Sequence, residues 1–150
     1  MLTSDVIMAV SDHAKEDYPA ECCGLVVGSG SIQKVHKCRN LQDELHRQDP
    51  ETHPRTSREA FAIDRQEMER LIKEAAVNGE KVLAFYHSHI DCGAYFSAMD
   101  KEVQTVFGEP EFPDALHLVV AVYEGQVREI RGFLWNAEMQ DFFALPAAWQ

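Results

Sequence analysis

The sequence predicts an α/β domain: a mixed central β-sheet packed with helices, in two or three layers. Three observations predict it. Apolar residues recur at helical spacing in two stretches, residues 2–18 and 57–78. Short apolar runs rich in strand formers lie between and after them: CGLVVG (23–28), KVLAFYH (81–87) and LHLVVAVYE (116–124). The last run meets VREIRGFLW (127–135) through Glu124-Gly125-Gln126, a tight-turn signal that pairs two strands antiparallel, whereas the earlier alternation of helix and strand does not.

Each element has its own warrant. In the first helix Leu2, Val6, Ile7, Val10 and Ala14 share a face behind the candidate caps Thr3 and Ser4, and Tyr18-Pro19 ends it. CGLVVG and SIQKVHKC (31–38) flank a Gly-Ser-Gly turn and read as a hairpin. Residues 40–57 are polar, contain Pro50 and Pro54 and show no period, so they read as a long surface loop. From Ser57 to Asn78, Phe61, Met68, Leu71, Ile72 and Ala75 fall on one helical face, and Asn78-Gly79 is a stop signal. KVLAFYH is too short for another helix and almost continuously apolar, as a strand buried on both faces would be. Ser97 with Asp100 three residues later makes a capping box, Asp replacing the usual Glu. Trp135, Trp149 and Phe142-Phe143 predict that the C-terminal stretch packs on the core or on a partner, the core being favoured. No repeat or boundary divides the chain, so one domain over 1–150 is expected.

Composition narrows the function classes. With 45% hydrophobic and 26% charged residues the chain is an ordinary globular one, long enough to fold without disulfides. Twenty-five acidic against fourteen basic residues give a net charge of -11 with no basic cluster, so nucleic acid is excluded as an expected partner and a basic protein or peptide tail fits the sign. The N-terminus lacks a basic region and meets Asp5 before any long apolar run, and no stretch reaches the eighteen or so apolar residues of a membrane span. A cytoplasmic protein is expected. Cys22, Cys23, Cys38 and Cys92 are then expected as free thiols, and the absence of a CxxC pair removes a thiolate zinc site.

The chemistry gathers in YHSHIDCGAYFSAMD, residues 86–100. Strand side chains alternate faces, so His87 and His89 point one way and Ser88 the other. Two imidazoles on one face can share an ion, and Asp100, in the first turn of the following helix, can be a third ligand. Taken separately, a His-x-His pair is a common accident, and Ser-x-x-acid before a helix is ordinary capping. Together they stand at the end of an apolar strand, where open α/β sheets bind ligands.

The spacing His-x-His, ten residues, then Asp, with Ser three before the Asp, resembles the motif of the JAMM (MPN-plus) metalloprotease family in His87, His89, Ser97 and Asp100. An upstream Tyr18-Pro19-Ala20-Glu21-Cys22-Cys23-Gly24-Leu25 resembles the family's glutamate segment, and weaker agreement runs through Asn40 and Phe61-x-Ile63-Asp64. The departure is local: Ile90 stands where the family often has proline, and Asp91, Cys92 and Gly93 follow, a difference that bears on substrate access. The resemblance implies the JAMM/MPN fold, which is cytidine-deaminase-like in architecture, and one zinc ion held by His87, His89 and Asp100. It further implies that Glu21 acts as general base, that Ser97 donates to the oxyanion, and that the chain is a peptidase or isopeptidase acting on the C-terminal tail of a ubiquitin-like or sulfur-carrier protein. Two other readings go with it: a non-catalytic MPN-type scaffold, which the filled motif disfavours, and a phage-tail-assembly peptidase, whose usual second hydrolase domain would not fit in this length. A cytidine-deaminase site itself would need Pro-Cys-x-x-Cys, which is lacking. Cys92 reads as a spectator thiol, and among the other histidines (His13, His36, His46, His53 and His117) His53 is the one expected near the site.

Overall fold

The computed structural model of the protein describes residues 1–146. In chain order its elements are α1 (Ser4–Asp17), β1 (Cys23–Ser29), β2 (Ile32–Cys38), α2 (Gln42–Gln48), α3 (Arg65–Val77), β3 (Lys81–Ile90), α4 (Ala98–Gln104), β4 (Thr105–Val106), β5 (Glu109–Pro110), β6 (Leu116–Tyr123), β7 (Gln126–Asn136) and β8 (Asp141–Ala144). Six strands form one sheet in the order β2-β1-β3-β6-β7-β8, while β4 and β5 make a separate short hairpin. β3 and β6 are parallel and the other neighbours antiparallel, so the sheet is mixed as expected.

Three layers result. Val6, Val10 and Ala14 of α1 pack on Val26, Tyr86, Leu118 and Val120 on one sheet face, and Leu71 and Ala75 of α3 pack on Leu25, Val27 and Phe85 on the other. The two helical stripes bury opposite faces, which explains why β1, β3 and β6 read as continuous apolar runs instead of alternating ones. The β6–β7 turn has positive φ at Glu124 (51°) and Gly125 (78°), the geometry a two-residue hairpin loop demands.

The structure corrects the sequence reading in three places. Residues 40–57 are not all loop, since α2 occupies Gln42–Gln48. A seven-residue helix is too short to show a period, and this one is pinned from outside, by Asn40 Oδ1 accepting from Gln42 N at 3.0 Å and by Asp43 holding Ser57. The following helix begins at Arg65, where Asp64 caps it by accepting from Gln66 N, so Phe61 lies in the preceding extended segment and not on a helical face. The strands β4, β5 and β8, of two to four residues, carried no readable pattern. Phe142 does pack on Trp135, their ring centroids 5.1 Å apart, while Trp149 lies outside the described residues.

Candidate metal centre

β3 runs through the middle of the sheet and is buried over its last seven residues. Its alternation sends Ala84 and Tyr86 toward α1, and sends Phe85, His87 and His89 toward the face that carries α3. Ser88 points with the first set, its Oγ accepting from Cys22 N at 2.7 Å while its own N–H donates to Cys22 O at 3.1 Å. The chain then leaves β3 for the crossover to the parallel strand β6, and α4 begins on that path. Ser97 caps α4 by accepting from Asp100 N at 3.0 Å, and Ser97 N donates to Asp100 Oδ2 at 2.9 Å. The capping box therefore fixes the Asp100 carboxylate as well as the helix start.

These placements bring His87, His89 and Asp100, all buried, into one donor group. His87 Nε2 lies 3.2 Å from His89 Nε2 and 3.2 Å from Asp100 Oδ1, and His89 Nε2 lies 3.3 Å from Asp100 Oδ2. A tetrahedron whose corners sit at zinc–nitrogen and zinc–oxygen bond lengths has edges of about 3.3–3.4 Å; the two Nε2 atoms stand at that spacing, and each faces a different oxygen of the Asp100 carboxylate at a similar distance. The protons point the same way. His89 Nδ1 lies 2.9 Å from Gly93 O, and a carbonyl only accepts, so Nδ1 carries the proton. In the neutral ring Nε2 then offers a lone pair toward a carboxylate oxygen, an arrangement that a cation between them satisfies.

Electrostatics favour the same occupant. Burial lowers the pKa of His87, keeping the imidazole neutral as a ligand must be. Burial alone would raise the pKa of Asp100, but its bonds with His87, His89 and Ser97 N hold it well below the usual carboxylate range. The residues present thus fit a divalent metal ion of the zinc type.

Glu21, 5% exposed, lies just before β1 and lines a cleft of about 220 Å³ together with His89, Ser97 and Asp100. Burial first, and the Asp100 charge second, push its pKa up to about 9. Its backbone is held from both sides: Glu21 N donates to Ser57 O at 2.7 Å, and Glu21 O accepts from Asn40 Nδ2 at 3.0 Å. Asn40 Nδ2 also donates to Ala60 O (3.1 Å), and Asn40 Oδ1 accepts from Gln42 N and Ala62 N (3.0 Å each). One amide thus joins the Glu21 segment, the start of α2 and the chain leading to Phe61. Phe61 stacks on His87 with centroids 4.5 Å apart, and Tyr95 sets its ring edge-on to His89 at 4.9 Å.

Every residue singled out in the sequence, Glu21, His87, His89, Ser97 and Asp100, is brought to this one place. His53 is not: its carbonyl accepts from His46 Nδ1 at 2.8 Å, and it does not line the cleft. The buried histidine nearby is His117, enclosed by Phe85, Phe96 and Phe142, with its pKa lowered by burial to about 4. Cys92 lines the cleft, its thiol pKa raised by burial, and is not part of the donor group. Asn40, Gly93, Tyr95, Arg55 and Arg58 escaped the functional reading. Asn40 and Gly93 were visible only as positions, since single loop residues have no spacing that announces a role. A larger cavity of about 690 Å³ opens at the other end of the sheet, beside the starts of β3 and β6, away from the histidines.

Fold and site together define a three-layer α/β protein with a buried His/His/Asp donor group and a glutamate beside it. The family described as prokaryotic homologs of the JAB domain matches residues 3–132, and the chain belongs to that family. Among curated proteins it is 35% identical over 99 residues to the tail tip assembly protein K of Escherichia phage N15 (66% of this chain, 32% of that protein), so it spans about a third of that relative's length. It is 26% identical over 134 residues to the CysO-cysteine peptidase of Mycobacterium tuberculosis (89% of this chain, 80% of that protein). It is also 29% identical over 108 residues to the desampylase of Haloferax volcanii (67% and 69%). A solved protein from Desulfitobacterium hafniense superimposes with a TM-score of 0.68 at 23% identity, covering 96% of this chain and 88% of that one, a likeness of fold.

Proposed function

We propose that the protein is a zinc-dependent amide hydrolase that cleaves at the C-terminal tail of a ubiquitin-like or sulfur-carrier protein. The observation that carries this reading is the donor triangle of His87, His89 and Asp100, with edges of 3.2–3.3 Å and the His89 tautomer set by Gly93 O. Zinc held there would supply Lewis acidity, polarising a carbonyl and bringing the pKa of water to about 7. The chain's own residues do the rest. Glu21, whose pKa is raised by burial and by the Asp100 charge, would be left ionised by a divalent cation on His87, His89 and Asp100 that offsets both; it then takes the proton of the attacking water and delivers it to the leaving nitrogen. A C–O bond forms as the C–N bond breaks, and amide plus water become a carboxylate and an ammonium. Ser97 spends one lone pair of Oγ on the Asp100 N–H, which leaves its own proton for the developing oxyanion, so capping and oxyanion stabilisation are compatible in one hydroxyl.

Supporting this reading, relatives named for peptidase and desampylase activity match most of the chain, and the whole motif is filled. The test is zinc content together with hydrolysis of a tail-extended carrier protein by wild type, Glu21→Gln and His87→Ala, with and without a chelator. About one zinc per chain is expected, with activity abolished by the chelator and reduced by at least about a hundredfold in Glu21→Gln. Activity indifferent to both variants would sink the proposal. A second reading, a peptidase of phage tail assembly, is favoured by the 35% identity to the tail tip protein. Hydrolysis of a phage tail polypeptide in preference to carrier tails would establish it.

A further inference from the structure

We infer that the leaving group of this reaction is a single amino acid with a free carboxylate, and that Arg55 and Arg58 bind that carboxylate. The inference rests on the amide-hydrolase reading and narrows it. The protein carries a net charge of -11, and the cleft wall contains Glu21, Glu59 and Asp100. The cations lining it are Arg55 and Arg58, from one short stretch of chain. That stretch is anchored to the catalytic wall. Gln42 Nε2 donates to Arg55 O at 2.9 Å, Ser57 N and Oγ donate to the two Asp43 oxygens at 2.7 and 2.8 Å, and Ser57 O accepts from Glu21 N at 2.7 Å. The backbone that presents the two guanidiniums is therefore fixed to the backbone that presents Glu21.

Neither guanidinium is used up. Arg58 meets Asp91 Oδ2 through one nitrogen at 3.3 Å, and that carboxylate is already shared with the Tyr18 hydroxyl (3.1 Å) and Glu124 N (3.0 Å). Arg55 forms no ion pair among the described residues, and its charge acts across the cleft on Glu21. A guanidinium fork matches a carboxylate with two parallel N–H donors. The position of the charge then discriminates between leaving groups. An amino acid linked through its α-nitrogen carries its carboxylate two bonds from the scissile nitrogen, while a lysine linked through its ε-nitrogen has no anion near the bond. A cleft of about 220 Å³ also suits one residue better than the flank of a folded protein. In the step itself water adds to the tail carbonyl, the C–N bond breaks, and the amino acid departs as a zwitterion while the tail keeps a carboxylate.

The experiment compares three substrates of the zinc-loaded enzyme: a ubiquitin-like carrier extended at its terminal glycine by one alanine as the free acid, the same extension as the carboxamide, and the carrier joined to a lysine ε-amine. In a second arm, calorimetry on the Glu21→Gln protein compares binding of the acetylated tail peptide ending in alanine acid or alanine amide. We expect the free acid to be cleaved at least about tenfold faster than the amide or the isopeptide, and Arg55→Gln/Arg58→Gln to bring the acid-to-amide rate ratio to about one. Equal rates on acid and amide, or a preference that survives the double substitution, would overturn the inference. If none of the three is cleaved, the hydrolase reading fails by itself, and the binding arm decides the carboxylate site: a preference for the acid that the double substitution removes supports it, and no preference refutes it.

Discussion

Asn40 offers the most informative single perturbation, because its amide holds the Glu21 segment without contributing a group to the reaction. Its orientation is unambiguous: Nδ2 faces two carbonyls and Oδ1 faces two backbone N–H groups, so a flipped amide would oppose like with like at all four contacts. Asn40→Ala removes four hydrogen bonds of 3.0–3.1 Å. At about 1 kcal/mol each, reduced because the side chain is only half-buried and water can replace part of the set, the loss is about 3 kcal/mol. For a chain of 150 residues that corresponds to a fall in Tm of about 6–12 °C. Asn40→Asp separates the two halves of the clamp. It keeps the acceptor for Gln42 N and Ala62 N but sets a carboxylate oxygen against Glu21 O and Ala60 O. We expect Asp to destabilise by a similar amount and to lower kcat more than it raises KM, since the general base is displaced and the arginines proposed to bind the substrate are not. Urea unfolding and steady-state kinetics on both variants read this out. If Asn40→Asp unfolds within about 0.5 kcal/mol of wild type and retains full kcat, the clamp does not position Glu21.

Three further outcomes follow from the same geometry. His117 is 3% exposed and its pKa falls from 6.5 to about 4 through burial, so the unfolded chain takes up a proton that the folded one refuses. Its contribution is complete above pH 6.5 and is lost as pH falls through 4, worth about 3 kcal/mol, and the stability of His117→Leu measured by urea titration should depend less steeply on pH over that interval; an unchanged slope would refute the assignment. Gly24→Ala would place a Cβ 2.4 Å from Tyr86 Oη and 2.5 Å from His36 O, between a buried ring and backbone, and should cost about 1–3 kcal/mol by thermal melt, with a neutral result excluding the tight approach. Ser97 should separate by chemistry. Ser97→Ala loses cap and donor together, about 1 kcal/mol of stability and about a hundredfold in kcat, whereas Ser97→Asp keeps the cap and recovers only the stability; recovery of kcat by Asp would remove the oxyanion role.

The site is cooperative in its construction. Ser88 ties β3 to Cys22, Asn40 ties Glu21 to the Phe61 segment, Phe61 stacks on His87, and Gly93 O sets His89, so distant and local contacts together fix the site. Asp91 plays the matching part in the loop between His89 and Ser97. With φ at 53° it takes hydrogen bonds from Tyr18 and Glu124 N and holds Arg58, turning IDCGAYF into an ordered wall of the cleft.

What the sequence determined by itself is what repeats locally. Period and apolar runs placed α1, β1, β2, β3, β6 and β7, and the β6–β7 turn, because burial of one stripe or of both strand faces leaves a residue pattern. The candidate site residues were legible for the same reason: strand alternation puts His87 and His89 on one side, and a capping box puts Asp100 in a first turn. The start of α3 was misplaced and α2 missed, since each start is decided by one local side chain, Asp64 accepting from Gln66 N and Asn40 accepting from Gln42 N, and a single cap leaves no period. Only the tertiary structure could close the donor triangle, choose the His89 tautomer, bring Glu21 across from β1 and line the cleft with Arg55 and Arg58. Those outcomes depend on contacts four to about twenty positions apart, made by loops whose path has no period for a sequence to show.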